Sequence, residues 1–237
     1  MKLDILAFAA HPDDIELSCS GTLALQQSLG NKIGVIDLTL GELGTRGTVK
    51  IREEEAALSA EILNVSFREN LKMPDGFFDI SEENILAVAK CIRKYRPEIV
   101  LANAISDRHP DHGRAAKLVR ESCFYSGLEK VQLSDKQPLS PWRPKVVYHY
   151  IQSNYIKPDI IVDISEFWDK KVESIHAFKS QFHDPNSEEK ETYISKPEFL
   201  EFLEGRAKMW GHAIGVKYGE GFTVNREPGI RNLNDLI

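Results

Sequence analysis

At 237 residues and 42% hydrophobic content, the chain suits one large domain or two small ones and supports a sizeable core. A net charge of −6 argues against sequence-independent nucleic-acid binding. No apolar run approaches the ~20 residues of a membrane span, and Lys2 followed by Asp4 makes a poor leader, so a cytoplasmic protein is expected.

The first apolar run, Leu3 to Ala9, reads as a buried strand. It ends at Ala10-His11-Pro12-Asp13-Asp14, where proline forces a turn and two acids follow at once. A helix is expected over about Leu17–Leu29, with Ser18, Ser20 and Gly21 small enough for close approach. Lys32–Leu40 reads as a second strand. A glycine-punctuated loop, Gly41 to Thr48, leads into a helix over about Ile51–Leu63. Its glycine spacing fits no phosphate loop. Val65–Asn70 is a weak third strand and Met73-Pro74-Asp75-Gly76-Phe77 a turn. Ser81 caps a third helix reaching about Tyr95, with Glu82 and Glu83 at its positive end. Glu98–Leu101 is a fourth strand. It precedes Asp107-Arg108-His109-Pro110-Asp111-His112 and a helix from after His112 to about Phe124.

Beyond Ser126 the pattern loosens. Leu128–Pro144, with three prolines after residue 137, reads as a long connection. Val146–Ile151 and Ile160–Ile164 are two further strands, and Ser165 a cap for a helix over Glu166–Lys179. Gln181–Ser195 is polar, without period, and reads as a mobile loop. A last helix, about Pro197–Gly211, precedes a glycine-rich tail at Gly215, Gly219 and Gly221. This alternation predicts an α/β fold: a Rossmann-like three-layer sandwich, its sheet mostly parallel, as a single domain over 1–237 with a less regular last third. The three cysteines, Cys19, Cys91 and Cys123, are scattered without Cys-x-x-Cys spacing and read as reduced.

Two predicted strand ends each deliver His, Pro and Asp, and open α/β sheets hold ligands at that edge. A catalytic zinc takes about three protein ligands and leaves one position for water. His11 and Asp14 can turn toward one ion from a single strand–helix corner, and His112 can supply the third ligand. Asp13 then stands beside the metal, free to take a proton from its water. His109 suits the far side of that water, where an oxyanion or leaving group would lie. Asp111 can hydrogen-bond the His109 imidazole, raising its pKa and fixing its orientation, or cap the following helix. Two His and one carboxylate suit Zn2+, and the open positions also suit Fe2+. A nucleotide-binding Rossmann protein is the rival reading, although no Gly-x-Gly-x-x-Gly follows the first strand.

The paired motifs, Ala-His-Pro-Asp-Asp at 10–14 and His-Pro-Asp-His at 109–112, resemble those of the LmbE-like, or PIG-L, zinc-dependent N-acetylglucosaminyl deacetylases. The glycine loop, the Arg-Glu-Glu helix start at Arg52 and the Pro-Asp-Gly turn extend the likeness over most of the chain. The resemblance implies zinc on His11, Asp14 and His112, Asp13 as general base, and His109 stabilising or protonating the tetrahedral intermediate. It implies substrate contacts by Arg52 and Asp75, and a trimer or hexamer. Length and loop motifs resemble the bacillithiol-pathway branch, which acts on N-acetylglucosaminyl malate; the alternative is a deacetylase of another conjugate, chitobiose-like, or of free N-acetylglucosamine. Arg46, Arg52 and Arg108 are the cations available to the two malate carboxylates. A related branch carries Tyr where Asp107 stands, and Tyr193 is the candidate to replace it.

Overall fold

The computed structural model describes residues 1–133, 138–183, 187–232 and 234. Strands β1 (Ile5–Ala9), β2 (Ile33–Thr39), β3 (Phe67–Met73), β4 (Ile99–Ala102), β5 (Val146–Tyr150), β6 (Ile160–Asp163) and β7 (Gly219–Val224) form one sheet in the order β3-β2-β1-β4-β5-β7-β6. Every pairing from β3 to β5 is parallel, and β7 runs antiparallel to both β5 and β6. β1 is buried along its whole length because helices cover both faces. Leu6, Phe8, Ile36 and Val100 pack beneath α4 (Glu82–Tyr95) and α5 (Pro110–Tyr125). Ile5, Ala7, Val35 and Leu101 point the other way, toward Cys19 and Leu23. That second layer holds α1 (Asp14–Ser18), α2 (Ser20–Ser28), α3 (Val49–Ile62), α6 (Trp168–His176) and α7 (Pro197–Ala213). No helix among the described residues is long and apolar enough to cross a membrane.

The expected α/β sandwich holds, and four departures have physical causes. The first helix begins at Asp14, three residues early, and breaks at Cys19 (φ −141°, ψ 10°). The break suits Glu220 of β7, whose carboxylate accepts from the Gly21 and Thr22 amides at the start of α2. Lys171 neutralises it at 2.8 Å. That cap comes from 198 residues away, so local pattern could not show it. The helix expected after His112 starts at Pro110, which fits the first helical position because it lacks an N–H. Ser165 caps no long helix. It lies in a 3-10 turn, donates to Asp163 and accepts the Lys217 and Tyr218 amides, tying the end of β6 to the start of β7.

The glycine-rich tail is the fourth departure, because it contains β7, an inner strand of the sheet. A Cβ on Gly219 would lie 2.7 Å from Ile161 and 3.0 Å from the Gly211 amide, and one on Gly221 would meet the Trp210 ring at 3.1 Å. The glycines allow α7 to sit directly on the strand. The connection at 128–144 and the loop at 181–195 carry no helix or strand where described; 134–137 and 184–186 lie outside the described residues. The second loop is clasped to the 41–48 loop, with Arg46 donating to the Ser180 carbonyl and the Gly47 amide to Glu189.

Candidate active site

β1 and β4 are sheet neighbours, with Ala7 opposite Leu101, and the chain leaves them in opposite directions. Their carboxyl ends form the switch point where such sheets bind ligands. Residues 11–14 leave β1 there, and 103–112 leave β4 beside them. Both expected clusters therefore line one cavity of about 280 Å³, together with Asp75, Gln152 and Arg206. The three imidazoles stand close, with ring centres 4.7 Å (His11–His109), 5.6 Å (His11–His112) and 5.2 Å (His109–His112) apart.

The partners of each ring decide which nitrogens remain for a metal. His11 Nε2 lies 2.9 Å from Asp75 and 3.2 Å from Asp111. His112 Nδ1 lies 2.6 Å from Asp107. A ligating histidine commonly donates its other ring N–H to a carboxylate in this way. His11 Nδ1 and His112 Nε2 are then the ring nitrogens left to a metal, which would displace any proton they carry, and Asp14 faces both, at 3.6 and 3.1 Å. Two other groupings, His11 with His109 and His112, and His11 with Asp75 and Asp111, bring their donor atoms within 4.8 Å of one another. The second grouping is the weaker candidate, because Asp111 also takes the Gly76 amide and the Arg114 guanidinium, and Asp75 the Leu43 amide. Two imidazoles and one carboxylate, each ring backed by a further carboxylate, fit a divalent cation of the zinc type.

The electrostatics follow from this packing. Burial alone would lower both imidazoles, but Asp111, Asp14 and Asp75 hold His11 well above its usual range, and Asp14 and Asp107 bring His112 to about 9. Burial works the other way on Asp14, yet His112 and His11 keep it well below the usual carboxylate range. Asp13 differs. Burial pushes it up to about 7, Asp14 adds to the rise, and Arg52 opposes it. Its backbone also sits at φ 114°, a strained value for a non-glycine residue. Arg52 holds the corner, donating to the Pro12 carbonyl, to Asp13 at 3.2 Å and to the Gly41 carbonyl at 3.2 Å. Gly41, at φ +66°, leaves the room: a Cβ there would lie 2.0 Å from Arg52 Nη1.

Several expected roles change on this geometry. The Asp111 carboxylate is engaged with His11, and only its backbone N–H reaches His109 Nδ1, at 3.3 Å. His109, not Asp111, is the N-cap of α5. The His109 pKa is lowered, by burial and then by His11 and His112. Its neutral ring carries hydrogen on Nε2, because Nδ1 accepts the Asp111 amide. Arg52 lines the cavity but is spent on Asp13 and two carbonyls, and Asp75 is spent on His11. Arg46 is turned away toward Ser180, Ser187 and Glu189. Arg108 does line the cavity, 4.2 Å over the Tyr193 ring. Tyr193 is 42% exposed and packs edge-on against Phe199, so it touches the rim through Arg108.

Three contributors had no motif to mark them. Asn103 follows β4 directly and Gln152 lies two residues past β5, and both donate to Asp14. Asp107, the first residue of the second run, orients His112. Arg206, from α7, bonds the Gln152 and Leu17 carbonyls, and burial lowers it to about 10. Among the described residues neither Arg108 nor Arg206 pairs with a carboxylate. The available signal was position, since Asn103 and Gln152 are polar residues where apolar strands end.

The sequence profile of PIG-L, described as GlcNAc-PI de-N-acetylase, matches residues 6–123. A diacetylchitobiose deacetylase from Thermococcus kodakarensis is 31% identical over 237 residues, 95% of this chain and 84% of that protein. The chain belongs to the PIG-L family. Its membership bears out the expectation of a deacetylase-type hydrolase. A conserved protein from Thermus thermophilus matches this PIG-L chain in structure, with TM-score 0.87, 35% identity and 98% of each chain covered. A 4-oxalmesaconate hydratase from Pseudomonas putida is 28% identical, covering 98% of this chain and 85% of its own. A probable N-acetyl-α-D-glucosaminyl L-malate deacetylase from Bacillus anthracis is 25% identical, covering 87% and 93%. The PIG-L relatives therefore do not single out the malate branch.

Proposed function

We propose that this chain hydrolyses the acetamide of an N-acetylglucosamine conjugate, releasing acetate and the free amine. One observation carries the reading. Beside the donor set stands a second buried carboxylate, Asp13, held by Arg52 rather than by an imidazole. A purely structural metal site has no use for it.

His11, Asp14 and His112 would hold the ion, zinc or Fe2+, which when bound lowers the pKa of water toward ~7 and polarises a carbonyl. Asp13 receives the proton of the attacking water and returns it to the leaving amine. His109 presents its Nε2 hydrogen to the developing oxyanion. Asp75 and Asp111 orient His11, and Asp107 orients His112. Arg52 fixes the angle of Asp13.

The aglycone we favour is malate. Arg108 and Arg206 line the cavity without carboxylate partners among the described residues, Arg206 bonding only the Gln152 and Leu17 carbonyls, and two guanidiniums match a dicarboxylate. Three buried free cysteines fit a cytoplasmic setting. Hydration is the second reading, favoured by the hydratase relative that spans the same length. An amine-release assay on zinc-loaded protein separates these, using N-acetylglucosaminyl malate, free N-acetylglucosamine and diacetylchitobiose, with 4-oxalmesaconate followed by absorbance. Amine from the malate conjugate alone is expected. Turnover of 4-oxalmesaconate with no amine from any sugar would overturn the deacetylase reading. Equal rates on chitobiose would remove the malate assignment.

A further inference from the structure

Three of the five carboxylates in the site are held differently. Asp13 has Arg52, Asp111 has Arg114, and Asp14 has only neutral donors besides the imidazoles. Asp14 Oδ2 accepts from the His11 amide and from Asn103 Nδ2, and Oδ1 from Gln152 Nε2, each at 2.9 Å. Neither amide can turn round without loss. Asn103 Oδ1 accepts the Ala10 amide at 2.9 Å. Gln152 Oε1 accepts the Ala104 amide at 3.1 Å and Asn103 Nδ2 at 3.0 Å. The carbonyl ends are thus claimed by donors, so the NH2 ends must face the carboxylate. The backbones are pinned as well: His149 Nδ1 bonds the Asn103 carbonyl at 2.9 Å, and Arg206 bonds that of Gln152. Both residues follow adjacent parallel strands, which sets their separation.

We propose that Asn103 and Gln152 are positioning residues that clamp Asp14 in its ligating orientation while leaving its charge intact for a divalent cation. Neutral dipoles satisfy the carboxylate lone pairs without supplying the counter-charge that an arginine would. Gln152 Nε2 also lies 3.3 Å from His112 Nε2, so one amide touches two of the three ligands. The inference rests on the metal reading above but not on any choice of substrate.

The test is a zinc titration against a chromophoric chelator, with the cobalt(II) absorption spectrum as a second readout, neither needing turnover. Gln152→Met keeps the bulk and removes the donor. Loss of an outer partner typically weakens metal binding 10–100-fold, so the zinc Kd is expected to rise by about that factor and the cobalt bands to shift. Gln181→Met is the comparison, because Gln181 lines the same cavity but donates to Arg46 and Ser180. It is expected to leave both readouts unchanged. Should Gln152→Met not fold, Asn103→Ser is read in the same titration, with the same direction expected. An unchanged Kd and spectrum in a folded variant would overturn the clamp, as would an equal loss in Gln181→Met. A wild-type chain that takes up no cation would overturn the metal reading and the clamp together.

Discussion

Gly41→Ala tests how far the base depends on a single empty space. The added Cβ would lie 2.0 Å from Arg52 Nη1 and 2.6 Å from Cζ, so the guanidinium must withdraw. At φ +66° the alanine also adopts a left-handed backbone, costing ~1 kcal/mol. Displacing a buried guanidinium that serves Pro12, Gly41 and Asp13 costs ~2 kcal/mol more, about one charged hydrogen bond. Together ~3 kcal/mol lowers Tm by roughly 6–12 °C for a chain of this size. Gly30→Ala supplies the reference, since Gly30 shares the positive φ (+86°) but its Cβ meets nothing within 4 Å. It should show the backbone cost alone. Arg52 also lowers the Asp13 pKa against burial, so its withdrawal raises that pKa further. Asp13 must be ionised to accept a proton, so the acid limb of kcat/KM moves to higher pH in Gly41→Ala. Scanning calorimetry and a pH–rate profile read the two effects. A Gly41→Ala protein that melts with Gly30→Ala and keeps the wild-type acid limb would refute the proposed hold of Arg52 on Asp13.

Zinc at a hundred times its Kd should stabilise the fold by ~2.7 kcal/mol, and a chelator should remove roughly 5–10 °C of Tm; an unchanged melt would count against a bound ion. In chelated protein, His112 titrates at about 9 folded against 6.5 unfolded. Its stabilisation is complete below about 6.5 and vanishes as pH rises through 9, whereas Asp14, lowered on folding, contributes above its unfolded value and is lost in acid. Tm against pH with and without chelator checks this, the alkaline loss being confined to the chelated sample. His109→Ala should cut turnover by ~10²-fold or more while zinc content stays near wild type; equal losses would make the ring a ligand. Arg206→Met should raise KM for the malate conjugate far more than for diacetylchitobiose, and parallel changes would dissociate Arg206 from the aglycone.

Contiguity explains what could be read in advance. His11 to Asp14 and Asp107 to His112 are short runs, each following an apolar strand, so their convergence needed only the sheet order. Ser81 was legible as a cap because its hydroxyl serves Asn84, three residues on. Long-range use was hidden. Glu220 caps a helix in the other half of the chain, and Asp75 and Asp111 both serve His11, which no spacing encodes. Arg52 and Arg46 looked like free cations until their carbonyl and carboxylate partners were seen. The last strand was obscured by its glycines, whose lack of side chain reads as a loop but serves close packing under α7.

That strand carries an obligation in time. β6 is hydrogen-bonded to β7 as its sheet neighbour, and the start of α2 takes its anion from Glu220, so both wait for residues 219–224. During synthesis the sheet can close only after residues 219–224 have left the ribosome. A product stopped short of residue 219 would therefore leave one edge of the sheet open and an early helix without its counter-charge, a natural target for cellular quality control.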